Sequence, residues 1–467
     1  MNRIVPLILA VALFMEQMDS TVIATALPAI AADLEVGPIT LKLALTSYMV
    51  ALAIFIPISG WMADRFGAKT IFRMAILVFI IGSILCAISG TLVQFVLSRF
   101  LQGMGGAMMT PVGRLLLLRT TKRSDLVSAM ALLTIPALIG PLTGPPIGGF
   151  ITTYFTWHWI FIINVPIGFL GIWLSGIYLP KIDTVQPPPI DWLGFFLIAM
   201  AAAGTVFGLS VVSLPALPPA FGISATAVGI LCGFLYIGHQ RRHPSPILSL
   251  SLFRNEAFRA ATSSGTIFRV STGAIPFLMP LMLQLAFGLN PFQSGMITFA
   301  GALGALMVKF VARRVFAATG FKVTLIAAGV LGAVTTSVNG FFTPETSHAL
   351  IIAFLVMSGL CRSFFFTGSN ALSYSEIDDA QASQATSIAS VLQQVSLALG
   401  VAFAAFILEA SSVLSGSHLQ LADFHLAFFI VAGVSLFAVV PLLGLRRDAG
   451  SAVSGHGRAA VETEAAQ

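Results

Sequence analysis

A chain of 467 residues with 57% hydrophobic and only 9% charged side chains is not built like a water-soluble domain, which carries about 25% charged residues. Its mean hydropathy of +0.96 requires lipid to solvate most of its apolar surface. The net charge of +6 does not point to nucleic acid, because the basic residues fall in short loops between apolar runs, where they orient a membrane protein.

A helix needs about 20 apolar residues to cross about 30 Å of hydrocarbon. In chain order, such runs predict spans at 5–32, 43–63, 74–90, 92–118, 126–154, 157–179, 192–212, 217–238, 257–286, 292–312, 323–342, 348–373, 384–410 and 424–444. The runs are continuous rather than alternating, which excludes a transmembrane β-barrel. Glu16 and Asp19 interrupt the first run, and it is too long for the apolar region of a signal peptide, so it reads as a span. If the N-terminus is cytoplasmic, Arg65, Lys69, Arg73, Arg119, Lys122, Arg123, Lys181, Arg241, Arg242, Arg254, Arg259, Arg313, Arg314, Lys322, Arg446 and Arg447 share the cytoplasmic side, with Lys42 opposite. That bias puts both termini inside. Cys86, Cys232 and Cys361 lie in separate apolar runs and read as small hydrophobic side chains.

The chain reads as duplicated. Glu16, Pro28 and Pro38 align with Arg269, Pro280 and Pro291 at an offset of 252 or 253, and Arg99 with Gly105 parallels Arg362 with Gly368. The expected fold class is an all-α membrane protein with 14 transmembrane helices. Two pseudo-symmetric six-helix bundles, 1–180 and 257–445, flank an inserted helix pair and cytoplasmic linker at 181–256, and a disordered cytoplasmic tail follows at 446–467. Repeats of this kind build transporters around a midplane site.

A charge in mid-bilayer costs about 3 kcal/mol or more and by default marks a pathway or a paired interior site. Glu16 and Asp19, three residues apart, share a helix face. Arg99, Arg269 and Arg362 lie deep in their spans, while Arg114 and Lys309 stand towards the cytoplasmic ends of theirs. These side chains are expected to line a cavity, the alternative being a structural ion pair such as Asp19 with Arg99. An acid released from a guanidinium on protonation would make a proton switch. Glu409 is expected to be solvated at an outer helix end.

Five motifs mark the chain. The loop after the second span reads Gly60, Trp61, Met62, Ala63, Asp64, Arg65, Phe66, Gly67, Ala68, Lys69, and the first span carries Met18, Asp19, Ser20, Thr21, with Ala26, Leu27 and Pro28. Arg99, Gln102, Gly103, Gly105 and Gly106 mark the fourth span, and Gly140, Pro141, Gly144, Pro145, Pro146, Gly148 and Gly149 the fifth. Glycines four apart on one face allow close helix contact, and the prolines remove backbone donors. Trp157, Trp159, Asn164 and Pro166 complete the set.

Together these residues resemble the major facilitator superfamily, and within it the fourteen-helix drug:proton antiporters. The likeness is greatest to MdtD-type exporters, through 105–119 and 276–284. Ala68 departs from the family loop, which usually has a basic residue there. The resemblance implies that Asp64, with Arg65 as its partner, helps latch one conformation, that Gly60, Gly67 and Lys69 belong to the same device, that Arg99 serves proton coupling, and that the fifth-span motif marks exporters. It further implies proton-coupled export of small molecules or drugs by alternating access across a bacterial inner membrane, with no cofactor beyond the proton gradient. Substrate, protons and lipid are the expected partners, of a monomer. Read without the family, the excess of Arg269, Lys309 and Arg362 over acids suggests a small organic anion, such as a citrate-like carboxylate or its metal chelate. The seven histidines are scattered at loops and span ends, so neither a metal centre nor an intramembrane enzyme is expected, and no filter motif suggests a channel.

Overall fold

A computed structural model describes residues 4–121, 126–180, 189–212, 214, 217–378, 381–415, 419–446, 448–454 and 456. The described residues are helical and contain no strand. Eleven helical stretches among them are long and apolar enough to cross a membrane. Adding the helices Leu92–Thr120 and Leu126–Tyr154, and dividing one long stretch at its kink, gives the fourteen rods expected among the described residues. They are α1 (Ile4–Val22), α2 (Lys42–Phe66), α3 (Ala68–Ala87), α4 (Leu92–Thr120), α5 (Leu126–Tyr154), α6 (Asn164–Tyr178), α7 (Trp192–Val211), α8 (Pro219–Gln240), α9 (Glu256–Leu281), α10 (291–319), α11 (321–338), α12 (His348–Tyr374), α13 (Ala382–Ser415) and α14 (Leu421–Phe437).

Several boundaries shift by a few residues, as where α3 starts at Ala68 and not at 74, and two differences change the reading. The first span ends at Thr25, and a separate short helix, Leu27–Asp33, begins with Pro28 in its first turn, where a missing N–H costs nothing. No loop separates α10 from α11. The helix runs on through Arg313 and Arg314 and turns at Gly320, whose φ of 71° and ψ of 170° lie outside helical space. Gly67, with φ 90°, makes the corresponding turn between α2 and α3, 253 positions earlier. Only glycine takes such dihedrals without strain.

The chain divides into two compact units. One runs up to Ile247 and includes Leu283–Met296; the other holds Leu248–Met282 and the chain from Ile297 onwards. The inserted pair therefore belongs to the first unit. Its helices meet through glycine, since a Cβ at Gly204 would sit 2.8 Å from Gly229 Cα and one at Gly222 2.7 Å from Val212 Cα. In lipid, such close packing substitutes for a hydrophobic driving force. Trp192 and Phe195 of α7 pack edge-on or tilted against Trp61 and Phe55 of α2, with centroids 6.3 and 6.4 Å apart.

Around α3 and α4 the first unit buries Phe72, Phe79, Met109, Val112, Leu116 and Leu117. The second buries Phe268 stacked on Phe365, centroids 3.9 Å apart, with Phe316, Leu325 and Leu442. Each unit fastens a helix end with lysine. Lys69 Nζ donates to the carbonyls of Gly176 (2.9 Å) and Leu179 (2.5 Å) at the end of α6, and Lys322 Nζ to those of Leu443 (2.7 Å) and Leu445 (2.6 Å) beyond α14. Cations suit the orphan carbonyls of a helix C-terminus. The expected tail is partly ordered: Ser451–Ser454 forms a helical turn, Ala449 is buried in the core of the second unit, and His456 Nδ1 lies 3.1 Å from the Ala317 carbonyl. Lys122, Arg123, Lys181, Arg447 and 457–467 lie outside the described residues.

Candidate functional site

The face of α1 that carries Asp19 meets α4 and α6, and every polar atom the Asp19 carboxylate needs comes from these two helices. Arg99 Nη1 donates to Asp19 Oδ2 at 2.7 Å, while Gln102 Nε2 and Asn164 Nδ2 each donate to Oδ1 at 2.8 Å. Arg99 and Gln102 are one helical turn apart, and Arg99 Nη1 also donates to Gln102 Oε1. Ser83 of α3 closes the network by hydrogen bonding to Gln102 Nε2 at 2.7 Å. The guanidinium lies 4.3 Å from the centroid of the Tyr48 ring, a favourable cation–π position. Asp19 is 0% and Arg99 1% exposed. Of the two sequence readings, a cavity lining and an Asp19–Arg99 ion pair, the structure forms the ion pair and encloses it, because charges this deep are tolerated only where partners satisfy them.

Glu16, one turn earlier on α1, is also buried and accepts from Thr110 Oγ1 and Gln17 Nε2, both at 3.0 Å. It has no cationic partner within ion-pair distance among the described residues. Arg114, expected at the same site, is exposed on α4. The fifth-span glycines explain how α1 holds its position. A Cβ at Gly140 would stand 3.0 Å from Gln17 Cβ, at Gly144 2.9 Å from Thr21 Cβ, and at Gly148 2.7 Å from Thr25 Oγ1. Gly149 and Pro145 make the equivalent approach to Phe292 and Gly295. Pro141 stands among them, half-buried.

In the second unit, α9 and α12 occupy the repeat positions of α1 and α4, but their one acid, Glu256, stands in the first turn of α9, far from Arg269 and Arg362. Arg269 Nη2 donates to Asn370 Oδ1 at 2.9 Å, and its guanidinium lies 4.9 Å from the Phe366 ring centroid. Arg362, half-buried one turn before Phe366, has no hydrogen-bond or ion-pair partner among the described residues. Residues 362, 366 and 370 form one stripe on α12. Lys309 is exposed and donates to Thr367 Oγ1 at 3.3 Å, as a snorkelling lysine would. The excess of cations over acids read from the sequence in this half overlooks one buried acid, Asp423, which is 3% exposed. It closes a capping box with Gln420 at the start of α14 and accepts from Ser411, a local role at a helix end.

The signature loop departs from expectation in two ways. Asp64 Oδ1 pairs with Arg119 Nη2 of α4 at 2.7 Å, not with its neighbour Arg65. Adjacent residues on a helix point about 100° apart, so Arg65 cannot face Asp64. Gly60 sits inside α2 with open space where a Cβ would be, so Gly67 alone makes the turn. Asp64 and Arg119 are each about 30% exposed, and exposed pairs contribute roughly 0–1 kcal/mol. Asp64→Asn is therefore expected to lower thermal stability by no more than that, and less still in high salt. A melting curve in detergent at two ionic strengths checks this.

Tyr48, Ser83 and Thr110 carry no motif signal. What could have found them is a search for polar side chains standing alone in apolar spans and facing Glu16 or Asp19. Gln102 and Asn164 lie inside recognisable motifs, but the motifs assign them no partner.

Comparison with known proteins identifies the family. The Major Facilitator Superfamily profile matches residues 9–253 and 261–464. The chain is 37% identical to the probable transport protein HsrA of Haemophilus influenzae, over 86% of both chains. It is 34% identical to the putative multidrug resistance protein MdtD of Escherichia coli, over 93% of this chain and 94% of that protein. In fold it is similar to a D-xylose-proton symporter (TM-score 0.70, 13% identity, 96% of this chain and 98% of that one). It is likewise similar to a POT family transporter crystallised with 5-aminolevulinic acid (TM-score 0.71, 14% identity, 93% and 94%). With fourteen helical rods among its described residues and a profile match over nearly its whole length, the chain belongs to the Major Facilitator Superfamily.

Proposed function

We propose that this transporter exports small molecules across the bacterial inner membrane by exchange for protons, with Asp19 and Arg99 as the coupling pair. The observation that carries this reading is a carboxylate enclosed among apolar helices and held by three donors, one of them a guanidinium. Protonation of Asp19 removes the charge that compensates Arg99. An uncompensated guanidinium in a dry interior is costly, so the helices carrying the two groups gain a reason to rearrange. Glu16, on the same face and without a cation at ion-pair distance among the described residues, is the second protonatable group. The likeness to proteins named for multidrug resistance supports export.

A second reading of the cargo has its own observation. Arg269 and Arg362 have no carboxylate within ion-pair distance among the described residues, and desolvated guanidinium groups bind carboxylates in bidentate fashion. A small organic anion satisfies them where a lipophilic cation would not. One experiment addresses both points. Purified protein in liposomes with an imposed pH gradient is offered a lipophilic cation and a tricarboxylate in separate assays. Flux that rises with the gradient and stops on adding a protonophore is expected for an exchanger. Flux indifferent to the gradient would sink the proton reading, and tricarboxylate flux unchanged by Arg362→Ala would sink the anion reading.

A further inference from the structure

The inserted helix pair brings together three metal-ligating side chains that are far apart in sequence and take no part in the function proposed above. Asp191 caps the start of α7, His239 stands in the last turn of α8, and His243 lies just past its end. The backbone N–H of His243 still donates to the His239 carbonyl at 3.1 Å, so the two imidazoles occupy successive turns of one face, with ring centroids 5.3 Å apart. Histidines four apart on a helix are a recurrent zinc-binding pair. His239 Nε2 lies 2.7 Å from Asp191 Oδ1, and one ligand atom from each of the three residues falls within 4.8 Å of the others.

We propose that Asp191, His239 and His243 form a binding site for a transition-metal dication, best matched by Zn2+. The donor set, two imidazoles and one carboxylate, leaves a fourth tetrahedral position for water, as in open zinc sites. Ligand atoms around zinc stand roughly 3.3 Å apart, from bond lengths of about 2.0–2.2 Å, so side-chain movements of about an ångström convert this arrangement into a coordination shell. A second observation favours a ligand. Asp191 is 4% exposed, and its Oδ2 atom is fully buried without a hydrogen-bond partner among the described residues. Its Oδ1 is oriented by the N–H of Gly194 at 2.8 Å, the outer contact that fixes a ligating carboxylate. His243 Nδ1 accepts only a long bond, 3.3 Å, from the N–H of Ser245, which leaves the ring free to turn. Arg241 and Arg242 flank the site but are exposed, where water screens their charge.

The place of the site gives it consequence. Trp192, next to Asp191, packs on Trp61 of α2, three residues before Asp64. A bound ion would join the start of α7 to the end of α8 and stiffen the element that rests on the signature loop.

The test uses the full-length protein, purified in detergent with any affinity tag removed, loaded with Zn2+ and desalted; bound metal per chain is then measured by mass spectrometry. One zinc per chain is expected, falling at least about 10-fold in His243→Ala. His456→Ala, which alters a histidine outside the cluster, should retain zinc. Because His239→Ala strips a buried carboxylate of its partner and could unfold the pair, His243→Ala is the deciding variant. Its metal-free melting temperature should match the wild type. Cobalt substituted for zinc should give the visible absorption of a tetrahedral site, lost in the same variant. A wild-type protein that retains no zinc, or a His243→Ala variant that retains as much as wild type, would overturn the proposal.

Discussion

Asp19→Asn is expected to abolish gradient-driven transport and to lower stability by about 3–5 kcal/mol, the cost of removing one partner of a buried ion pair. Asparagine matches the shape of aspartate and keeps one oxygen for Gln102 and Asn164, so cavity formation contributes little. What changes is charge: Arg99, 1% exposed, is left with Gln102 Oε1 and the Tyr48 ring. The double variant Asp19→Asn with Arg99→Gln separates the two consequences. Removing both charges should restore most of the stability while leaving transport dead, because no titratable pair remains. Melting temperatures of the two single variants and the double variant in detergent, with proton-driven flux in liposomes, complete the cycle. Full activity in Asp19→Asn would refute the coupling role whatever its stability.

Gly144→Val is expected to damage both stability and transport. The added branches enter space already held by Thr21 Cβ, 2.9 Å from the position of a Cβ, and by Val22 N at 3.2 Å. Thr21 cannot easily yield, because its hydroxyl donates to the Gln17 and Met18 carbonyls. Overpacking of this kind costs about 1–3 kcal/mol. The displaced helix is α1, so Glu16 and Asp19 move with it and transport should fall as well. Gly60→Ala provides the contrast. Open space surrounds that position, and its stability should stay within about 0.5 kcal/mol of wild type. Equal losses in the two variants would show that the α1–α5 contact is not what the motif protects.

The fourteen rods could be read from apolar run length, because hydrocarbon thickness imposes one minimum on every span. So could the Asp19–Arg99 pairing as one of two alternatives, since two opposite charges in mid-bilayer have few other partners. The enclosure of that pair could not be read, because it depends on Ser83, Gln102 and Asn164 arriving from three helices. The Arg119 partner of Asp64 was hidden for the same reason: the family resemblance pointed to Arg65, whereas helix geometry selects a residue 55 positions away. Asp191 and His239, 48 positions apart, meet only because α7 and α8 fold back as an antiparallel pair. Arg313, Arg314 and Lys322 marked a break between α10 and α11 but not its form: the helix runs on through both arginines, and a single glycine, Gly320, does the work of the expected loop.

Lys69 and Lys322 carry one more implication. Each ammonium group joins the first turn of one helix to the last carbonyls of another, α3 to the end of α6 in one unit and α11 to the chain leaving α14 in the other. Within each unit, the two tethered rods therefore form a brace that must travel together during a transport cycle. Flexing is left to the helices without such a tie, and α1, seated on glycines and carrying both carboxylates, is foremost among them.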